Sequence, residues 1–71
     1  MLRISPIQCK MARVAVGWGV RDLARAAKIS PDTVARFERG DRLRDQTVQI
    51  ISDTLEGAGV KFILNGVIIV P

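Results

Sequence analysis

Apolar positions along the chain fall into five groups, four with helical spacing and one with the composition of strands. Ile7, Met11 and Val14 recur at intervals of four and three, which predicts a helix over about 6–16 with that stripe inward and Lys10 and Arg13 off it. Ser5-Pro6 has the form of a helix start, Ser as N-cap and Pro at the first helical position, and Gly17 supplies a stop. A second helix is predicted over 20–27, with Gly19 as a weak N-cap, Leu23, Ala24 and Ala27 inward, and Arg21, Asp22 and Arg25 outward. Lys28-Ile29 is a very short connection. Ser30-Pro31 then repeats the start signal and opens a third helix over about 31–39, with Val34 and Phe37 inward and Gly40 past its end. After a charged loop over 41–45, Val48, Ile51, Leu55 and Ala58 mark a fourth helix bounded by Gly57 and Gly59.

The last apolar group changes period. From residue 60 onward β-branched and aromatic residues dominate, broken once by Asn65-Gly66, a strong two-residue hairpin signal, so strands are expected at about 60–64 and 67–70. A turn centred on Asn65-Gly66 pairs Leu64 with Val67, Ile63 with Ile68, and Phe62 with Ile69. Val60, Phe62, Leu64, Val67 and Ile69 then share one face, and Lys61, Ile63, Ile68 and Val70 the other. Both faces are apolar, and a lone two-stranded sheet is marginal in water. One face is expected to pack on the helices and a second copy of the chain to cover the rest. The expected interface residues are Phe62, Ile63, Leu64, Val67, Ile68, Ile69 and Val70, and the expected division is a helical domain over 1–59 followed by a dimerising hairpin over 60–71.

Composition narrows the function. A chain of 71 residues with 48% apolar and 25% charged residues has the balance of one small globular domain, neither disordered nor a rod. The net charge of +4 is unevenly spread: residues 1–20 carry Arg3, Lys10 and Arg13 with no acid, residues 21–45 retain a basic excess, and residues 46–71 are slightly acidic. A positive field over the first two-thirds favours a polyanionic partner. Cys9 is the single cysteine and histidine is absent, which removes a disulfide, the usual zinc sets and the commonest general base. No catalytic, metal or cofactor-binding residue is expected. No segment approaches a membrane span and none has the form of a signal peptide, so a cytoplasmic protein is expected, in keeping with a free thiol.

Two short helices joined by a turn of three or four residues form a helix-turn-helix, whose second helix can occupy the DNA major groove. The stretch over 20–39, with Leu23-Ala24, Ile29-Ser30, Val34 and the ending Phe37-Glu38-Arg39-Gly40, closely resembles the Xre/Cro family of lambda-repressor-like regulators. The likeness extends through Gly17-Trp18-Gly19 and the fourth helix, over nearly residues 7–58. It implies a mainly α fold, a lambda-repressor-like bundle of about four short helices, followed here by the β-hairpin. It also implies sequence-specific binding of double-stranded DNA by a transcriptional regulator, expected to be a repressor, as a homodimer. Two positions depart from the family pattern. Val20 stands where glutamine usually contacts a phosphate, leaving only backbone N–H there, and Lys28 stands at the turn position usually held by glycine.

Carried over from that resemblance, Asp32, Thr33 and Arg36 fall at the exposed base-reading half of the third helix, and their spacing independently avoids the Val34/Phe37 stripe. Arg36 is the foremost candidate, since a guanidinium donates two hydrogen bonds to guanine O6 and N7. Thr33 can meet a thymine methyl, and Asp32 suits cytosine N4 or simply the positive end of the helix. Phosphate contacts are expected from Arg21, Lys28, Ser30, Arg39, Arg42 and Arg44. The bland alternative for each arginine is a solvated surface residue, with Asp41 and Asp45 as local partners. Trp18 is expected to pack in the core rather than stack on a base. The alternative function is an antitoxin-like or other protein-interaction module with an unidentified protein partner. An enzyme lacks its nucleophile-base pair, and a membrane-surface role lacks an amphipathic helix of sufficient length.

Overall fold

The computed structural model describes residues 3–70, so residues 1–2 and 71, the outer ends of the two expected segments, lie outside it. Four helices are followed by one hairpin: α1 (Pro6–Ala15), α2 (Val20–Ala27), α3 (Pro31–Glu38), α4 (Asp45–Gly57), β1 (Val60–Ile63) and β2 (Gly66–Ile69). Local chemistry sets the helix ends. Ser5 Oγ accepts the Gln8 N–H at 3.2 Å while the Gln8 side-chain oxygen accepts the Ser5 N–H at 2.8 Å, a reciprocal cap at the start of α1. At α2 the Gly19 N–H donates to the Asp22 carboxylate at 2.7 Å. Ser30 Oγ accepts the Thr33 N–H at the start of α3, and Pro follows the cap residue in both α1 and α3.

The core lies between all six elements and holds Ile4, Cys9, Ala12, Leu23, Ala24, Val34, Phe37, Val48, Ile51, Leu55 and Val60. Val16, Trp18, Val20, Ile29, Leu43, Phe62 and Val67 pack around it. The inward faces of α2, α3 and α4 are those the spacing predicts, except that Ala58 falls just past α4 as its C-cap and is half-buried, and Trp18 is a packing residue. The stripe of α1 is not. Ile7 is 66% exposed, Val14 61% and Met11 also exposed, whereas Gln8, Cys9 and Ala12 are buried. The reason is polar: the inward side of α1 must supply Gln8 to the hairpin and Arg13 to α3, and Cys9 and Ala12 are small enough to let those bonds close.

The hairpin also corrects its expected register. The pairs are Val60 with Ile69, Lys61 with Ile68, Phe62 with Val67, and Ile63 with Gly66, so the turn is Leu64-Asn65 and Leu64 pairs with no strand residue. Asn65 takes the left-handed conformation at φ 60, which its short polar side chain tolerates. Gly66 opens β2, where a Cβ would come within 3.3 Å of the Ile63 side chain. The Gln8 side-chain amide selects this register, its Nε2 donating to Ile63 O at 2.6 Å and Gly66 O at 3.1 Å. A slip that changes each pairing by two residues leaves every side chain on its face. Val60, Phe62 and Val67 therefore still face the core, as the strand alternation predicts.

Candidate nucleic-acid interface

Helices α2 and α3 meet across Lys28-Ile29-Ser30. Lys28 sits at φ 59 and ψ 43, the left-handed conformation, which costs about 1–2 kcal/mol relative to glycine. The turn is closed by the Ile29 N–H on Ala24 O at 3.0 Å, and Ile29 then covers the core. Ala24 is buried where the helices cross, and a larger side chain would hold them apart. With Leu23, Val34 and Phe37 buried beneath, the opposite side of α3 is left to solvent. A shallow cleft of about 340 Å³ lined by Arg21, Ala24, Arg25, Ile29 and Pro31 runs beside the start of α3.

The three residues expected to read bases differ in freedom. Asp32 and Arg36 are exposed, while Thr33 is half-buried. Thr33 Oγ1 lies 2.8 Å from Ser30 Oγ, so the two hydroxyls share one hydrogen and a single O–H remains to donate outward. Ser30, expected at a phosphate, is thus first the cap of α3. Asp32 stands in the first turn of α3, where its charge favours the helix dipole.

Among the expected phosphate contacts, Arg21, Lys28, Arg42 and Arg44 are exposed and form no ion pair among the described residues. Arg39 is exposed but paired, its guanidinium donating to Asp41 Oδ2 at 2.8 Å, and Arg36 Nε lies 3.5 Å from the same oxygen. Asp45 does not serve Arg42 or Arg44: it pairs with Arg3, which also donates to Leu43 O at 3.3 Å and so ties the N-terminal segment to the loop.

One group escaped sequence reasoning. Arg13 on α1 donates to Glu38 on α3 through Nε at 2.8 Å and a terminal nitrogen at 2.9 Å, and to Trp18 O at 3.0 Å. Both side chains are about nine-tenths buried. The Cys9 thiol donates to the same carboxylate at 3.4 Å. Burial, then the Glu38 charge, pushes that thiol far above its ordinary range, and the hydrogen bond to Glu38 raises the Arg13 guanidinium. The cluster bolts α1 to the end of α3. The only signal in the sequence is Glu38 within Phe37-Glu38-Arg39-Gly40, with nothing to single out Arg13.

The helix-turn-helix family model matches residues 10–58, well over half of the chain and from within α1 to the residue after α4. The chain belongs to that family, in its Xre and lambda-repressor-like form, a family of DNA-binding regulators. No curated protein matches the chain. The hairpin lies beyond the matched residues. No helix among the described residues is long and apolar enough to cross a membrane.

Proposed function

We propose that this chain binds double-stranded DNA sequence-specifically as a small transcriptional regulator, with α3 in the major groove. The carrying observation is the division of α3: Val34 and Phe37 are buried while Arg36 is exposed, flanked along the chain by the exposed Arg21, Lys28, Arg42 and Arg44, which form no ion pair among the described residues. Arg36 is the base-reading residue, with Thr33 and Asp32 beside it. The other cations, with Arg39 and the Ser30 hydroxyl, meet phosphates and set register and most of the affinity. Repression is the proposed effect, because a protein seated on a DNA site excludes others from it. The cytoplasm is the proposed location, where a free Cys9 stays reduced. Selection from a random duplex pool at several salt concentrations tests this: a defined motif should emerge, with affinity falling steeply as salt rises. Enrichment of no sequence would overturn it.

The second part of the proposal is a homodimer, with the segment after residue 59 as its dimerising element. Of the residues expected at the interface, Phe62 and Val67 pack on the chain's own core, which leaves Ile63, Leu64, Ile68, Ile69 and Val70 exposed. They have company on α1, whose exposed Ile7, Met11 and Val14 lie on the helix that Gln8 ties to the hairpin turn. So much exposed apolar surface on a small domain marks an association site. Two-fold pairing would present two copies of α3 to half-sites about one DNA turn apart. Sedimentation at micromolar concentration should give twice the monomer mass. A monomer there would overturn the dimer and leave the DNA-binding reading standing.

A further inference from the structure

Asp41 occupies a position prepared by the backbone. Gly40, at φ +100, turns the chain back on α3, and the Asp41 N–H donates to Arg36 O at 2.9 Å while the Gly40 N–H donates to Phe37 O at 3.0 Å. A side chain other than hydrogen at residue 40 would be strained in that conformation. The reversal brings the Asp41 carboxylate alongside the last turn of α3, where one oxygen, Oδ2, serves both Arg36 and Arg39.

The two arginines are held by different ends. Arg39 is engaged through a terminal nitrogen, Nη2, which is the end an arginine offers to a phosphate. Arg36 is approached at Nε, the inner nitrogen, which leaves both terminal nitrogens available as a fork. That fork is what donates to guanine O6 and N7. A long side chain steadied at Nε also loses less rotamer freedom when it meets a base. Hydrogen bonding from Arg39, with Arg36 behind it, holds the Asp41 carboxyl below the usual carboxylate range. The bridge is therefore charged at neutral pH and is lost only as pH falls through that lowered value.

We propose that Asp41 is a positioning residue that sharpens base choice by aiming Arg36 and by occupying Arg39 until a phosphate displaces it. This rests on the reading of α3 as the DNA-reading helix. The carboxylate acts in two directions. It improves discrimination at the base pair that Arg36 meets, and it lowers affinity for all DNA because it is a negative charge beside phosphates and a competitor for Arg39.

Asp41→Asn tests both directions, since it keeps the shape and removes the charge. Selection from a random duplex pool and titration of single fixed sequences at several salt concentrations should show three effects. D41N binds arbitrary duplex DNA severalfold more tightly, with a salt slope steeper by about one contact. Preference at one base pair falls about tenfold, and it is the same pair at which Arg36→Ala loses preference. In the Arg36→Ala background, D41N changes affinity but no longer changes preference. Asp41→Glu, which keeps the carboxylate, should retain most of the discrimination at an unchanged melting temperature, an outcome a merely structural role would not produce. D41N with undiminished preference, or with a loss at a different base pair, overturns the proposal alone. Wild-type protein that enriches no sequence overturns the DNA-binding reading and the proposal with it.

Discussion

The side of the molecule formed by α2, α3 and the loop after them and the side formed by the outer faces of α1 and the hairpin solve opposite problems. On the first, the large side chains left in solvent are cations: Arg21, Lys28, Arg36, Arg39, Arg42 and Arg44. On the second, Lys10 and Lys61 apart, they are apolar: Ile7, Met11, Val14, Leu64, Ile68 and Ile69. A domain this small buries one stripe per helix, so residues outside those stripes are not needed for the core. What remains outside therefore reports on partners, an anion for one side and a protein surface for the other. Between them sits the Arg13–Glu38 pair, which belongs to neither and couples the helix that carries the apolar stripe to the helix that carries the arginines.

The strongest way to break this comparison is to remove the coupling. Glu38→Ala leaves the Arg13 guanidinium buried without its counter-charge, with only the Trp18 carbonyl to accept from it, and should cost about 3–5 kcal/mol in urea denaturation. A loss under 1 kcal/mol would show that the two sides are held together by the apolar core alone. Arg36→Ala sharpens the contrast from the charged side: it should cost about 1–3 kcal/mol of binding to the selected sequence and relax one base pair, with the melting temperature unchanged.

Lys28→Gly separates conformation from charge within one residue. Relief of the left-handed strain should stabilise the fold by about 1 kcal/mol, while loss of a phosphate contact should flatten the salt slope by about one. A stabilised protein with an unaltered slope would remove Lys28 from the interface. The smallest effect on stability is expected on the apolar side. Leu64→Asp, at a turn position 77% exposed, should change unfolding by no more than about 0.5 kcal/mol yet shift sedimentation toward the monomer. A variant that stays dimeric would move the association surface away from the turn.

Much of the architecture was legible because it is local. The Ser-Pro starts, the glycine stops and the three- and four-residue spacing of Leu23, Ala24 and Ala27 or of Val48, Ile51 and Leu55 depend on neighbours within a turn of helix. The turn at Lys28 was legible through the family likeness instead, which puts a glycine at that position. The α1 stripe and the hairpin turn were not, because both are decided by Gln8. A buried amide must find acceptors, and Gln8 finds them on Ile63 and Gly66, more than fifty residues away. That bond turns α1 about its axis and fixes the strand pairing, against an apolar stripe and an Asn-Gly signal that each suggested something else. Within the site, the exposed arginines followed from spacing and family likeness. Asp41's grip on two of them depends on the backward turn at Gly40, which a pattern of residue types does not display.

The burial of Cys9 supplies the molecule with its own clock. Thiol reagents attack the thiolate, and in the folded chain Cys9 is fully enclosed, bonded to Glu38 and kept protonated by both. It can react only during the intervals in which α1 swings away from α3, so the rate at which native protein consumes such a reagent counts those openings directly. No label needs to be engineered, since the chain has no second cysteine to confuse the signal. Duplex DNA that grips α3 would slow this clock, reporting occupancy of one side of the protein through a sulfur atom buried beneath the other.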